Sequence, residues 1–386
     1  MISFWERESF LTADYIIIGS GIVGLSTAAA IVEKNPEAKV TILERGILPA
    51  GASTKNAGFA CIGSPTELLS NCKTLSEAEV QQITSWRVNG LQVLRQRLTD
   101  TAIGYLPNGS YELLTEKEIY CLDQLTYLNQ LLKPITKTQA FKPAPPALLK
   151  QFKFNPQYVK AMVQNLCEGQ IDTGKMMRSL LQYVQQRGVM IINGAQVQNI
   201  YPDTGNGTQY PAEVEVFDPV IQQIMRFKAR QVAICTNAFA KQFLPDADIT
   251  PGRGQVVATK PIPDLPFKGI FHFDEGYFYF RNFGQRVIFG GGRNLDFAGE
   301  ATTNLQTTNL IIDDLLHKLK HIILPNTPFE IDTQWAGIMA FGQIKKPILA
   351  RISPTICAGV RMNGMGVAIG SYIGQQLCNI LMEAAS

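Results

Sequence analysis

A short apolar run, Tyr15-Ile-Ile-Ile18, breaks abruptly into Gly19-Ser-Gly-Ile-Val-Gly24 and resumes as Leu25-Ser-Thr-Ala-Ala-Ala-Ile-Val32. The glycines spell G-x-G-x-x-G at a strand-to-helix junction, and each has its own physical task. The first permits a tight turn, the second lets backbone approach a pyrophosphate, and the third lets helix and strand pack closely. The helix that begins there offers unpaired N–H groups and the positive end of its dipole to phosphate. A second apolar run, Val40-Thr-Ile-Leu43, delivers Glu44 twenty residues after Gly24. A carboxylate at that spacing accepts hydrogen bonds from ribose hydroxyls and repels a 2′-phosphate. The pattern predicts a dinucleotide site and disfavours NADP. About 18 mostly apolar residues also match the length of a membrane span. Three glycines and Ser20 crowd the first half of the segment, however, and its period switches from strand to helix, so we read strand–turn–helix.

Composition narrows the remaining choices. With 46% hydrophobic and 17% charged residues, the chain of 386 residues has the makings of a large globular core. At about 150 residues per domain it accommodates two or three domains. The formal charge is +3 and no Lys/Arg-rich block occurs, so no nucleic-acid footprint is expected. The acidic start, Met1-Ile-Ser-Phe-Trp-Glu-Arg-Glu, is not a secretory signal, and no integral membrane segment is expected elsewhere. Seven cysteines, an odd and scattered set without C-x-x-C, argue against a disulfide framework and for a reducing, cytoplasmic compartment. Cys235 and Cys357 lie in apolar strand-like runs and read as core thiols. The three histidines are few for a metal cluster. His317 and His321, four apart with Asp313 one turn earlier, have ligand spacing, but a solvated helix face has the same spacing. No metal is expected.

The order of elements suggests an α/β chain with an α+β substrate part. Residues 14–46 form a first strand–helix–strand unit, and 47–65 a loop of small residues. Residues 75–133 read as mostly helical, interrupted by Gly109-Ser-Tyr-Glu-Leu-Leu114, and Lys142-Pro-Ala-Pro-Pro146 marks a loop. Asp172 caps a helix running to about Arg187, followed by short strands at 188–194 and 195–200 and hairpin strands at 210–235. Alternating runs at 254–260, 276–281 and 286–290 suit an antiparallel sheet with one wet face. Residues 303–323 read as helix, Thr355–Gly359 as strand, and 366–382 as a final helix. We therefore expect a Rossmann-like dinucleotide-binding domain (1–75, 155–240, 330–386) interleaved with an antiparallel-sheet substrate domain (76–154, 241–329). A cleft between interleaved domains is where a ligand usually binds.

Four motifs in this order resemble one family. They are the glycine turn with Glu44, the loop Gly51-Ala-Ser-Thr-Lys-Asn-Ala-Gly58, Cys235-Thr-Asn-Ala-Phe239, and Val360-Arg-Met-Asn-Gly-Met-Gly366. Together they resemble the D-amino-acid-oxidase-like FAD-dependent oxidoreductases, among them the glycine and sarcosine oxidases, over nearly the whole chain. The resemblance implies non-covalent FAD. Gly19, Gly21, Ile22, Val23 and Gly24 would hold the pyrophosphate, Glu44 the ribose, and Arg45 would lie beside adenine. The main chain of Val197 would pair with adenine. Ser53, Thr54, Asn56, Ala57 and Gly58 would wrap the phosphates and flavin edge, with Thr236, Asn237 and Ala238 behind the dinucleotide. Arg361, Met362, Asn363, Gly364, Met365 and Gly366 would bring N–H groups and a helix N-terminus to the flavin's pyrimidine edge, where reduced flavin carries negative charge. Taken alone, the Ser53–Gly58 loop also reads as a surface loop, and the Arg361–Gly366 turn as a connector. No histidine faces the flavin loop, so covalent attachment is not expected, with nearby Cys61 the residue to watch.

On the substrate side, the family's Tyr-x-x-Pro-Arg strand resembles Tyr277-Phe-Tyr-Phe-Arg281, with Phe280 in place of proline. Alternation on a strand puts Tyr277, Tyr279 and Arg281 on one side, which would equally make a core stripe. The family's amino-acid oxidases place an arginine after Trp-x-Gly to clamp the substrate carboxylate. Here Trp335-Ala-Gly is followed by Met339 at that place, and Arg281 or Arg361 would have to supply the cation. Ile288 stands where the sarcosine-oxidase-like branch uses a lysine for oxygen. The resemblance implies oxidation of a C–N bond of a small amine or amino acid by hydride transfer to flavin N5, with oxygen or another acceptor. Two alternatives remain: an FAD-dependent 2-hydroxyacid or polyol-phosphate dehydrogenase, and a non-catalytic dinucleotide-fold binding module.

Overall fold

The computed structural model describes residues 2–202 and 209–383. The strand Thr12–Ile18 lies at the centre of a sheet, parallel to Val40–Glu44 on one side and to Gln223–Ile234 on the other. Met190–Asn193 and Ile356–Val360 extend it in parallel, and Ile348–Ser353 closes one edge in antiparallel sense. A central parallel strand is covered on both faces, which is why Tyr15-Ile-Ile-Ile18 is an unbroken apolar run. Tyr15 and Ile17 face one core, whereas Ile16 and Ile18 face the other. The first core is helical, built from Ile22–Lys34, Glu77–Leu98, Thr173–Gln185 and the final helix Gly366–Glu383. The antiparallel strands Val197–Tyr201 and Ala212–Asp218 and the short turn Asn237–Gln242 cover the opposite face.

Small residues set how closely these helices approach. A Cβ on Gly374 would lie 2.6 Å from the Ser26 Cβ, and one on Gly370 2.8 Å from the Ile22 side chain. Between them, the Ser26 and Ser371 hydroxyls meet at 3.2 Å. Gly90 of the long helix is pressed against the Ala368 carbonyl with no room for a Cβ.

The second sheet runs Ile331–Phe341, Thr250–Thr259, Arg286–Gly291, Phe278–Phe283, Ile270–Phe273, Ser110–Leu114, Ala161–Asn165, Phe141–Pro143. All neighbours are antiparallel except Ile270–Phe273 with Ser110–Leu114, which are parallel, so the expected antiparallel sheet has one parallel seam. Its two faces differ. Phe271, Phe273, Phe278, Phe280 and Phe289 turn toward the helix Asn309–Lys318, with Phe271 and Phe280 stacked at 4.6 Å and 8°. The alternate residues Ile270, Tyr279 and Ile288 turn the other way, onto Ala57, Phe59 and Cys61.

Two expectations need correction. The chain does not change sheets at 155 and 330. Ala161–Asn165 pairs with Ser110–Leu114, and Ile331–Phe341 pairs along its length with Thr250–Thr259, because each supplies backbone partners that an inner strand of the second sheet requires. The helix expected over 303–323 begins at Asn309 and finishes in a wider π-type turn, Leu319–Ile323. Side chains compete for the backbone before that point: Asn304 N–H donates to Thr302 Oγ1 at 3.1 Å, Gln306 N–H to Asn304 Oδ1 at 2.9 Å, and Thr308 N–H to Gln255 Oε1 at 2.8 Å.

Gly90→Ala should cost about 1–3 kcal/mol by overpacking and lower the thermal midpoint. Gly51→Ala, where a Cβ meets nothing within 4 Å, should stay within about 0.5 kcal/mol of the parent. Equal midpoints for the two variants would refute this account of the helix contact.

Candidate active site

The glycine turn has the geometry its sequence requires. Gly19 has φ +102°, and a Cβ there would stand 3.0 Å from the Cys235 carbonyl. A Cβ on Gly24 would collide with the Gly19 carbonyl, and one on Gly21 would stand 3.0 Å from Ser53 Oγ. No Gly21 side chain caps the helix Ile22–Lys34; instead Ile22 N–H donates to Ser53 Oγ at 3.0 Å. Glu44 ends its strand almost fully buried. Its Oε2 accepts from Ser20 N–H at 2.9 Å and the Ser20 hydroxyl at 2.8 Å, and Oε1 accepts from Gly46 N–H at 2.9 Å. The Arg45 guanidinium lies 3.6 Å over the Phe239 ring, and the Val197 carbonyl accepts from Gln242 Nε2 at 3.0 Å.

One cavity of about 570 Å³ joins this turn to the second sheet. Gly19, Gly21, Ile22, Val23, Glu44, Arg45, Ser53, Asn56, Ala57, Val197, Thr236, Asn237 and Met362 through Gly366 line it, and so do Tyr277, Tyr279 and Met339. Gly24, Thr54, Gly58 and Ala238 lie behind this wall and shape it. Thr54, for example, donates its hydroxyl to the Pro49 carbonyl at 2.7 Å. Asn237 holds the last motif in place: its Oδ1 accepts from Arg361 N–H at 3.1 Å and Met362 N–H at 3.2 Å.

The two arginines expected beside the substrate are engaged elsewhere. Arg281 Nη1 donates to the carbonyls of Gly58 at 2.8 Å and Ile171 at 2.6 Å, and Nε donates to the Asn282 carbonyl at 3.0 Å. It therefore fastens the loop 56–58 to the second sheet. Arg361 turns to Asp248 Oδ2 at 2.9 Å and to the Lys346 carbonyl at 2.8 Å. Neither side chain lines the cavity. Backbone alternation brings Tyr279 to the cavity, and Tyr277 precedes the strand with its side chain partly exposed. Burial pushes the Tyr279 hydroxyl up to about 12, so it is a hydrogen-bond donor at neutral pH.

Several cavity residues escape motif reading: Glu67, Arg87, His272, Arg293, Phe341 and Lys345. A signal for Arg293 is present in Gly290-Gly-Gly-Arg293, since Gly291 (φ +136°) and Gly292 (φ +79°) stop a strand at the cavity rim. The others come from two helices (Glu67, Arg87), two strands (His272, Phe341) and a loop (Lys345), with no shared pattern. His272 is neutral at physiological pH because burial pulls it down to about 4. Its 4.0 Å approach to Glu168 is accordingly no ion pair there. Burial also raises the Cys61 thiol well above its ordinary range, keeping it protonated and poorly nucleophilic. His317 and His321 lie 4.4 Å apart, and no group of three or more His, Cys, Asp or Glu among the described residues is placed to hold a metal. Among those residues no helix is long and apolar enough to cross a membrane.

These residues fit a dinucleotide. A cradle at Gly21 that a Cβ would narrow, a buried Thr236 hydroxyl at the wall without a partner among the described residues and a buried carboxylate at Glu44 each match a phosphate or ribose contact. Glycine turn, acidic strand end and second-sheet roof define a flavin-dependent oxidoreductase. Residues 14–380 match the family described as DAO, FAD dependent oxidoreductase. The chain belongs to that family, and its cofactor is FAD. A curated relative, the bifunctional protein ThiO/ThiG of Synechocystis sp., is 24% identical over 260 residues, covering 64% of this chain and 33% of that protein. The match thus spans about a third of that relative's length. Glycine oxidase from Geobacillus kaustophilus superposes with TM-score 0.75 at 18% identity, covering 96% of this chain and 95% of the other. L-proline dehydrogenase from P. horikoshii superposes with TM-score 0.74 at 16% identity, covering 96% and 94%. L-amino acid deaminase from Proteus vulgaris superposes with TM-score 0.73 at 16% identity, covering 97% and 94%. At these identities the structures share the fold.

Behind the cavity, two buried carboxyls hold residues 62–66. Glu168 accepts from Ile62 N–H at 2.6 Å, Gly63 N–H at 3.0 Å and the Ser110 hydroxyl at 2.5 Å. Glu112 accepts from the Ser64 hydroxyl at 2.8 Å, Thr66 N–H at 3.0 Å and the Thr66 hydroxyl. Burial raises both to about 7 against the opposing effect of these hydrogen bonds. A carboxyl that binds its proton more tightly folded than unfolded stabilises most below its unfolded value of 4.5 and loses that contribution as pH rises through about 7. The double variant Glu112→Gln/Glu168→Gln should therefore gain thermal stability relative to the parent between about pH 5 and pH 8, by at most about 3 kcal/mol per carboxyl. A difference that does not change with pH in melting curves would overturn it.

Proposed function

We propose that the protein oxidises the C–N bond of a small amino acid or amine. The observation that carries this reading is the continuity of the cavity. It runs from the dinucleotide turn, past Ala57 and Phe59, to a wall of Tyr277, Tyr279 and Met339 under the second sheet. The named structural relatives support it: a glycine oxidase, a proline dehydrogenase and an amino acid deaminase.

Bound FAD would supply a hydride acceptor for the carbon bearing the nitrogen. The protein's part is to bind, orient and exclude water. Phe59 packs edge-on to Tyr279 at 5.6 Å and to His272 at 5.1 Å, giving the wall a fixed apolar surface. Tyr279, protonated to about 12, offers an O–H to a substrate heteroatom. The helix Gly366–Glu383 starts at the cavity with Met365 and Gly366, and its positive dipole end favours negative charge there. A neutral amine needs only this positioning to give up a hydride, without a strong base. Ile288 contributes an apolar side chain to the cluster of Ala57, Phe59 and Cys61, which supports an acceptor other than oxygen.

The purified protein should be yellow, and anaerobic addition of substrate should bleach the visible flavin band. If hydroxy acids and polyol phosphates bleach it while a broad panel of amino acids and amines does not, the C–N reading fails and the dehydrogenase alternative replaces it. A colourless protein that takes up no FAD would point to the binding-module alternative. Admitting oxygen to the bleached protein then identifies the acceptor: slow recolouring that a dye accelerates indicates a dehydrogenase.

A further inference from the structure

Arg293 begins a short turn after the strand Arg286–Gly291, and its side chain lines the cavity. Its guanidinium lies 3.9 Å from the Phe341 ring centroid and 4.8 Å from that of Phe297. Phe297 in turn packs edge-on to Tyr277 at 5.9 Å. The Arg293 side chain makes no hydrogen bond or ion pair among the described residues. Glu300, the acid whose charge reaches it, is already engaged: it receives Arg253 Nε at 2.8 Å and Nη2 at 2.6 Å, as well as Gln255 Nε2 at 2.9 Å. Aromatic rings hold a cation by its face, which leaves the N–H edge of a guanidinium free. A half-buried guanidinium with an unfilled donor edge is costly unless an anion completes it.

The location of Arg293 matters as much as its lack of partners. Gly252 pairs directly with Met339 across the sheet, and a Cβ on Gly252 would lie 3.5 Å from Arg293 Cδ. A Cβ on the neighbouring Gly254 would lie 2.8 Å from Met339 Cε and 3.7 Å from the Tyr279 hydroxyl. The absence of side chains at 252 and 254 thus lets the Phe341 ring and Met339 lie flat against this strand, beside Arg293 and the Tyr279 hydroxyl.

We propose that Arg293 is the anion anchor of this cavity and holds the carboxylate of the substrate, which makes the substrate an amino acid rather than a plain amine. The inference rests on the C–N oxidation reading for the substrate's identity. The anchor itself is testable without turnover. Phe341 and Phe297 orient the guanidinium, and its fork meets the carboxylate oxygens in the bidentate manner that planar donors favour. The amine then faces Tyr279.

The FAD-loaded protein should be titrated with acetate, propionate and benzoate, each beside its neutral carboxamide, by calorimetry and by perturbation of the flavin spectrum. Carboxylates should bind and carboxamides should not. Arg293→Met should weaken carboxylate binding by ~10–100-fold, with Arg293→Lys intermediate. Amino acids compared with their decarboxylated amines should show the same loss in KM for the amino acid only, with the amine within about twofold. Carboxylate binding unchanged in Arg293→Met overturns the anchor, as does an equal loss for amino acid and amine. A parent protein that oxidises amines but ignores amino acids also overturns it while leaving C–N oxidation standing. A parent that oxidises neither defeats the C–N reading, and the carboxylate titration still decides the role of Arg293. If Arg293→Met does not retain FAD, Arg293→Gln and Arg293→Lys carry the same comparison.

Discussion

The contact between Gly24 and the Gly19 carbonyl is the constraint on which the rest of the molecule depends. Only a residue without a Cβ lets the helix Ile22–Lys34 lie this close to the strand that feeds it. That approach aims the helix N-terminus at the cavity. It also brings the opposite flank of the helix within reach of Gly370 and Gly374 on the final helix. The final helix in turn presents the Ala368 carbonyl to Gly90 of Glu77–Leu98. A chain of close contacts therefore runs from the dinucleotide turn to the helix whose first residues close the far end of the cavity. Side chains inserted at any of these points would displace an element that carries part of the site.

The loop 51–58 is the second requirement, and both halves of the molecule hold it. Ser53 takes an N–H from the first helix, Arg281 takes the carbonyl of Gly58, and Trp335 Nε1 donates to the Lys55 carbonyl at 2.9 Å. This loop lines the cavity, and each of these ties comes from a different element. Arg281 explains why a long guanidinium is buried in a sheet without an acid: its donors meet carbonyls that the loop cannot satisfy for itself. Burial without a full counter-charge brings it down to about 10, still well above neutral pH.

The glycine turn and its acid were legible because their geometry depends on residues close in sequence. Gly19, Gly21, Gly24 and Glu44 belong to one strand–helix–strand unit, and the requirement for absent side chains leaves a mark in the residue types themselves. The substrate half was less legible. Tyr279 could be placed by alternation, because period two on a strand settles its face. Arg281 and Arg361 carry the right charge, but charge alone does not say which way a guanidinium turns, and carbonyls at Ile171 and Lys346 claim them. That the strands of two sheets alternate along the chain was visible in the order of elements. The points where the chain changes sheets were not, since they depend on which inner strand lacks a partner.

The sequence by itself determined a glycine turn at a strand-to-helix junction, an acid at the end of the next strand and a family of flavin enzymes, because those features are local and forbid most alternatives. It also showed that an expected arginine is replaced by Met339. Only the tertiary structure decided what stands beside that methionine. Arg293 lies 46 residues earlier in the chain (339 minus 293), on a different strand's exit, yet it lines the same cavity with its guanidinium 3.9 Å from the ring of Phe341 on Met339's own strand. Cavity walls are made by such long-range pairings, where one backbone register selects which side chains share a space, and no local pattern records that choice.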